Sequence, residues 1–190
     1  MLFDQERARR IMCRQGIDAL VAASPDNVTY VSGYWAMSHW ARPGGPQAYA
    51  VIPAGDSTSP CLIAGSGNLD HVVDGESRVS EAYRYGFFGT RTDGAGLSDL
   101  EVQYAALLNA KDFGDPAVAL LAALRDRKLE RSRLAIEDAG IQPAVLERVR
   151  RELPQAEIVS GSKLLRELRT IKTPEEIERS IVTMARQRID

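Results

Sequence analysis

The run "QAYAVIPAG", residues 47–55, is apolar at consecutive positions, so a strand formed there buries both of its faces. Such a strand sits centrally in a sheet with cover on two sides. "IDALVAA" (17–23) reads the same way, and "PCLIAG" pairs with 47–55 across a turn at Ala54-Gly55-Asp56. "RVSEAYRYG", "SRLAIED" and "AEIVSG" are further strands. Between them lie helical patterns: "DLEVQYAALLNA", "PAVALLAALRDRKL", "QPAVLERVRREL" and "SKLLRELRTIK". "SPDNVTYVSGY" turns at Ser24-Pro25-Asp26-Asn27, forms a short helix and closes at Gly33, while "NLDHVV" makes one or two helical turns. The alternation predicts one three-layer α/β/α domain around a mixed or parallel sheet. Its strands are expected near 17–23, 47–53, 60–64, 79–85, 132–137 and 156–160.

Local signals set the helix ends. Residues 3–15 read as a helix capped by Asp4 and stopped by Gly16, with Ala8, Ile11, Met12 and Gln15 on one side. Ser98 and Glu101 have capping-box spacing, as do Thr173 and Glu176 in "LRTIKTPEEIERS". Pro174 suits the first helical position, and Glu175 and Glu176 bring negative charge to the positive end of the helix dipole. That last helix is apolar at Ile177, Ile181, Val182 and Met184.

The balance of 24 basic against 26 acidic residues, net −2, leaves no electrostatic footprint for nucleic acid. The basic run Arg125–Arg133 is interrupted by Asp126 and Glu130 and reads as a solvated face. Cys13 and Cys61 lack C-x-x-C spacing, which argues against a zinc site or a disulfide framework and for free thiols in a reducing cytoplasm. The start, "MLFDQERARRIM", is charged within four residues, unlike a signal peptide, and no apolar run reaches transmembrane length.

Candidate chemistry is sparse. "GSGNLD" (65–70) follows a strand and precedes a short helix, but it lacks a third glycine and reads as a plain turn. The two histidines, His39 and His71, have no H-x-x-x-H or H-E-x-x-H spacing, and no serine sits in a G-x-S-x-G elbow. Glu137-Asp138 ends a strand as a cation-binding pair without histidine support. The irregular stretch 35–46, "WAMSHWARPGGP", is the exception: it gathers two indoles, an imidazole and a guanidinium. Rigid aromatics and a carboxylate-binding fork suit a small anionic or zwitterionic ligand, or a partner subunit. The alternative packs Trp35 and Met37 into the core, with Trp40 covering the surface. Sequence leaves the two readings even.

The order of "RARRIMCRQGIDALVAASPDNVTYVSGY", "YAVIP" and "LRTIKTPEEIERS" resembles the N-terminal domain of the creatinase/prolidase family of pita-bread metalloenzymes. That family includes Xaa-Pro aminopeptidases, prolidases and creatinase. The two ends of the chain carry the resemblance, and the middle, 55–130, matches in order of elements. It implies a ribonuclease-H-like motif with a five- to six-stranded mixed sheet over 1–170. Residues 171–190 become a linker and the first helix of a C-terminal catalytic domain lying beyond Asp190. That domain would bind two divalent metal ions (Mn, Co or Zn) through two aspartates, a histidine and two glutamates. The 190 residues alone are then non-catalytic, with no metal-dependent hydrolase activity of their own.

The resemblance further implies a cytoplasmic homodimer acting on a small peptide or an amidino or amino-acid-like substrate, with no nucleic acid or membrane partner. Creatinase-like members reach from this domain into the neighbouring subunit's active site through an aromatic and an arginine. Trp40 and Arg42 match those positions, and His39 is a further substrate-binding candidate. Pro43-Gly44-Gly45 between Arg42 and the next strand departs from the family spacing. Two competing readings are a stand-alone small-molecule-binding or interaction module and a nucleotide-binding domain using "GSGNLD".

Overall fold

The computed structural model describes residues 2–42, 45–55, 59–73, 77–79, 81–88 and 96–186, with side chains through Thr183. Six strands form one sheet among these residues, in the order β4-β3-β2-β1-β5-β6. They are β1 (Ala19–Ala22), β2 (Tyr49–Pro53), β3 (Cys61–Gly65), β4 (Glu81–Tyr85), β5 (Arg133–Ile136) and β6 (Glu157–Ser160), and each lies within or one residue beyond its expected range. β1 pairs antiparallel with β2, Leu20 opposite Ile52, and parallel with β5, Leu20 beside Ala135. β2 pairs antiparallel with β3, as expected of "PCLIAG", while Asp56 of the intervening turn lies outside the described residues. β3–β4 and β5–β6 are parallel. Five strands therefore point one way and β2 alone runs against them, so the sheet is mixed.

Alternate side chains leave the sheet on opposite faces, and both faces are covered. Leu20, Ala22, Ala50, Ile52, Leu62 and Ala64 pack with α1 (Gln5–Arg14), α2 (Pro25–Ser32) and α8 (Ser162–Thr170). Val21, Tyr49, Val51, Cys61, Ile63, Leu134 and Ile136 pack with α6 (Pro116–Asp126) and α7 (Pro143–Glu152). This is the expected three-layer arrangement. The buried Leu120, Leu121 and Leu124 of α6 each contribute about 1.5–3 kcal/mol by leaving water.

The local start signals work as read. Asp4 accepts the Arg7 N–H, Ser24 caps α2, and the Ser98–Glu101 box opens α5 (Asp99–Asn109). Gly33 closes α2 with φ 73°. The Thr173–Glu176 box opens α9 (Pro174–Arg186), whose Met184 side chain lies outside the described residues. "NLDHVV" makes a 3-10 turn (Ser66–Asn68) and the one-turn helix α4 (Asp70–Val73). Two details differ. Gln15 is exposed, because its backbone caps α1 while its side chain reaches Glu167. Arg127 of the basic run is not solvated: its largely buried guanidinium pairs with Glu81 and lies 5.6 Å from the Tyr83 ring.

Candidate functional site

The carboxyl ends of β1, β3, β4, β5 and β6 share one edge of the sheet, and β2 enters from that edge. In open α/β sheets this is where ligands are held. The segments converging there are Ser24, Ser66–Asn68, Gly86–Phe88, Glu137–Gly140 and the approach to β2 through Pro46. An ideal Cβ on Gly65 would sit 3.6 Å from the Pro46 side chain, so that approach lies directly against the end of β3.

The stretch 35–46 is not wholly irregular. Met37–Ala41 forms a one-turn helix, α3, with no side-chain cap. It forms because its N-terminal side and its first turn are pinned. Tyr34 and Ala36 are buried in the core, and the Ala36 N–H donates to Thr29 Oγ1. Ser38 Oγ donates to Asn68 Oδ1 at 2.6 Å, tying α3 to the turn after β3. Trp35 and Met37 do not enter the core: they are 55% and 40% exposed, and Trp40 is 56% exposed. The alternate residues Tyr34 and Ala36 are the ones buried. Trp35 lies against His71 with ring centroids 5.5 Å apart. Phe87 and Phe88 at the end of β4 add exposed apolar surface beside them, an ideal Cβ on Gly67 being 3.3 Å from the Phe88 ring.

Of the predicted site residues, Trp40 and Arg42 both face solvent, and Arg42 has no acid partner among the described residues. Pro43 and Gly44 lie outside the described residues. His39 turns the other way. It is half-buried and its Nδ1 has no hydrogen-bond partner among the described residues. Burial lowers its pKa below the usual imidazole value, and the nearby Glu137 carboxylate offsets this in part. The three candidates thus share one helical turn and its cap but not one direction.

The other candidates are consumed by structure. Glu137 is buried and accepts from the backbone N–H groups of Ala23 and Ser24 and from Asn27 Nδ2. Asp138 accepts from Ser160 and Ser162, whose hydroxyls lower its pKa. The pair therefore does not present a shared cation site. In "GSGNLD", Ser66 donates to Gly86 O and accepts from Arg84 Nη1, while Asn68 holds Ser38. Its polar groups close a turn. Among the described residues no group of three or more His, Cys, Asp and Glu is placed to hold a metal ion. The residues present do not fit such a centre: Glu137 is saturated by three donors and His71 sits in aromatic contact. Both cysteines are free, Cys13 exposed and Cys61 buried, and no helix among the described residues is long and apolar enough to cross a membrane.

Sequence reasoning missed Asn68, His71 and Phe88 as part of this edge. Nothing local marks them. The available signal was topological, since each follows a strand that runs parallel to β1.

Comparison with known proteins adds the following. The creatinase/prolidase N-terminal domain model matches residues 5–171. Curated protein sequences give no match. A dipeptidase from Pyrococcus horikoshii OT3 shares the fold at TM-score 0.58 and 17% identity, covering 94% of this chain and 39% of its own. An X-Pro aminopeptidase from Thermotoga maritima MSB8 does so at 0.56 and 15%, covering 92% and 38%. The N-terminal domain of the cytoplasmic peptidase PepQ from Mycobacterium tuberculosis H37Rv matches at 0.50 and 16%, over 87% of this chain and 97% of that one. The chain thus spans about two-fifths of the length of the first two. Its sheet order, its flanking helices and the family match over most of its length agree: the chain belongs to the creatinase/prolidase N-terminal domain family.

Proposed function

We propose that these residues are the non-catalytic N-terminal domain of a metal-dependent, cytoplasmic Xaa-Pro peptidase or creatinase-like hydrolase. The domain, residues 1–170, acts in homodimerisation and in shaping the substrate pocket of the partner subunit. Residues 171–190 lead into a catalytic domain that binds two divalent metal ions. The observation that carries this reading is the presentation of Trp40 and Arg42. A large indole and a guanidinium with no acid partner among the described residues stand exposed at the carboxyl edge of the sheet, on a turn anchored by Asn68. Trp35, Met37 and Trp40 are exposed together on this short stretch, and contiguous apolar surface of that kind marks interaction sites. In this role Arg42 forks onto the carboxylate of a small peptide or amino-acid-like substrate, Trp40 shields the pair from water, and His39 backs the same turn from its half-buried side.

Subunit complementation in the full-length enzyme tests it. One subunit carries Arg42→Ala, and the other carries an inactivated metal site with Arg42 intact. If Arg42 serves the partner's site, mixing two inactive or impaired homodimers restores turnover in the heterodimer. No gain on mixing, with kcat/KM of the Arg42→Ala enzyme within twofold of wild type, rejects the role. A charge-assisted hydrogen bond of about 1.5–3 kcal/mol corresponds to a loss of roughly ten- to a hundredfold.

A further inference from the structure

We propose that the junction between α8 and α9 is a rigid strut that fixes the direction in which α9 leaves the domain. The consequence for catalysis rests on the reading above, in which a further domain follows α9. The strut itself does not depend on it.

The last turn of α8 is held from two other helices. The Leu168 carbonyl accepts from Arg7 Nη2 of α1 at 3.0 Å and from the Tyr30 hydroxyl of α2 at 3.4 Å. Arg169 Nη1 donates to Asn27 Oδ1 at 3.0 Å, and its guanidinium lies 5.6 Å from the Tyr30 ring. Only Ile171, Lys172 and Thr173 separate this turn from α9. Lys172 Nζ donates to Arg169 O at 2.6 Å and stands 3.7 Å from the Glu176 carboxylate, bridging the two helices.

Thr173 is 8% exposed although it sits between two helix ends. Its N–H donates to Glu176 Oε2 at 2.8 Å, and its hydroxyl accepts the Glu176 N–H at 3.2 Å. The Ile177 N–H reaches the Thr173 carbonyl at 3.1 Å. Pro174 restricts Thr173 to extended backbone and fixes its own φ near the helical value. Flexible tethers are rich in glycine and serine, and this junction contains neither.

Beyond its first turn α9 carries exposed apolar residues: Ile177 is 50% exposed and Ile181 60%. Among the described residues this apolar stripe is not packed on the domain, so the junction is what sets the direction in which α9 leaves. Any body seated on that stripe would be held in one attitude toward the edge that carries Trp40 and Arg42.

The test uses the chain as it stands. Cys13 is exposed and Cys61 is fully buried, so a nitroxide attaches at Cys13, and Ile181→Cys supplies the second site. Double electron–electron resonance is expected to give one narrow distance distribution. Thr173→Ala with Glu176→Ala removes the box and should at least double its width. Two glycines inserted between Ile171 and Lys172 leave the box intact and should broaden it as much, which separates loss of the strut from unravelling of α9. A broad distribution in the parent chain, or an equally narrow one in the insertion variant, overturns the proposal. The functional reading is decided separately by subunit complementation: a narrow distribution together with no gain on mixing keeps the strut and discards that reading.

Discussion

The Glu137 carboxylate accepts the Ser24 N–H at 2.8 Å, joining the end of β5 to the start of α2. The same oxygen takes the Ala23 N–H at 2.7 Å, and the other takes Asn27 Nδ2 at 2.6 Å. The buried carboxylate thus satisfies the backbone donors that lead into α2 and sits near the positive end of that helix's dipole. The acid closes the crevice between β1 and β5 from inside the protein, where a ligand would otherwise find those donors.

Removing it should be costly. Glu137→Ala leaves two backbone donors and an amide without partners in a site that is 4% exposed. Each orphaned donor costs about 1–3 kcal/mol, so a total of about 3 kcal/mol or more is expected. Glu137→Gln keeps the shape and one acceptor and should cost about 1–3 kcal/mol. Urea midpoints for both variants check the order. Equal midpoints for wild type and Glu137→Ala would show that water replaces the carboxylate without loss.

Gly140 closes the same joint by having no side chain. A Cβ there would lie 2.2 Å from the Ser24 nitrogen and 2.7 Å from the Ala23 carbonyl carbon, both backbone atoms that cannot step aside. Gly140→Ala is expected to cost about 3 kcal/mol or more, the upper end of overpacking penalties. Gly114→Ala is the control. Its φ is +79° but nothing lies within 4 Å of its Cβ, so only the left-handed penalty of about 1–2 kcal/mol applies. At about 2–4 °C per kcal/mol for a domain of this size, thermal melts separate the two. A Gly140→Ala chain as stable as Gly114→Ala would mean that the β1–α2 joint moves freely.

These two residues also show why part of the molecule was readable from its sequence and part was not. The six strands were legible because both faces of the sheet are covered, which leaves runs such as "YAVIP" and "ALVA" apolar at every position. Helix starts were legible because Asp4, Ser98 and Thr173 act on donors three residues away. Asp138 and Glu137 look alike in sequence, yet one is exposed on serines and the other buried under α2, a choice made by Ser24 and Asn27 more than a hundred residues earlier. α3 was missed for the same reason. Met37–Ala41 has no cap of its own, and Asn68, which holds it, is distant in sequence. Trp40 and Arg42 could be picked out by type, but their exposure follows from that anchor.

His39 offers a direct reading of the electrostatics of this edge. Its ring is half-buried, with no partner for Nδ1 among the described residues, so the charged form loses hydration and its pKa falls below the usual value. The Glu137 carboxylate acts in the opposite direction. With the folded pKa depressed, both states are neutral at this residue above the unfolded value, near 6.5, and stability there is complete. As pH falls below that value the unfolded chain takes up the proton first, so stability is lost progressively until the folded pKa is passed. His39→Gln should remove this contribution, giving a shallower loss of urea midpoint as pH falls below about 6.5. Nitrogen–proton correlation spectra give the site directly: the resonance that vanishes in His39→Gln should titrate below the usual imidazole range. In Glu137→Gln, with the attractive charge gone, that midpoint should fall further. A His39 midpoint at or above 6.5, or one that rises in Glu137→Gln, would mean that this imidazole faces water beside Trp40 rather than the buried end of β5.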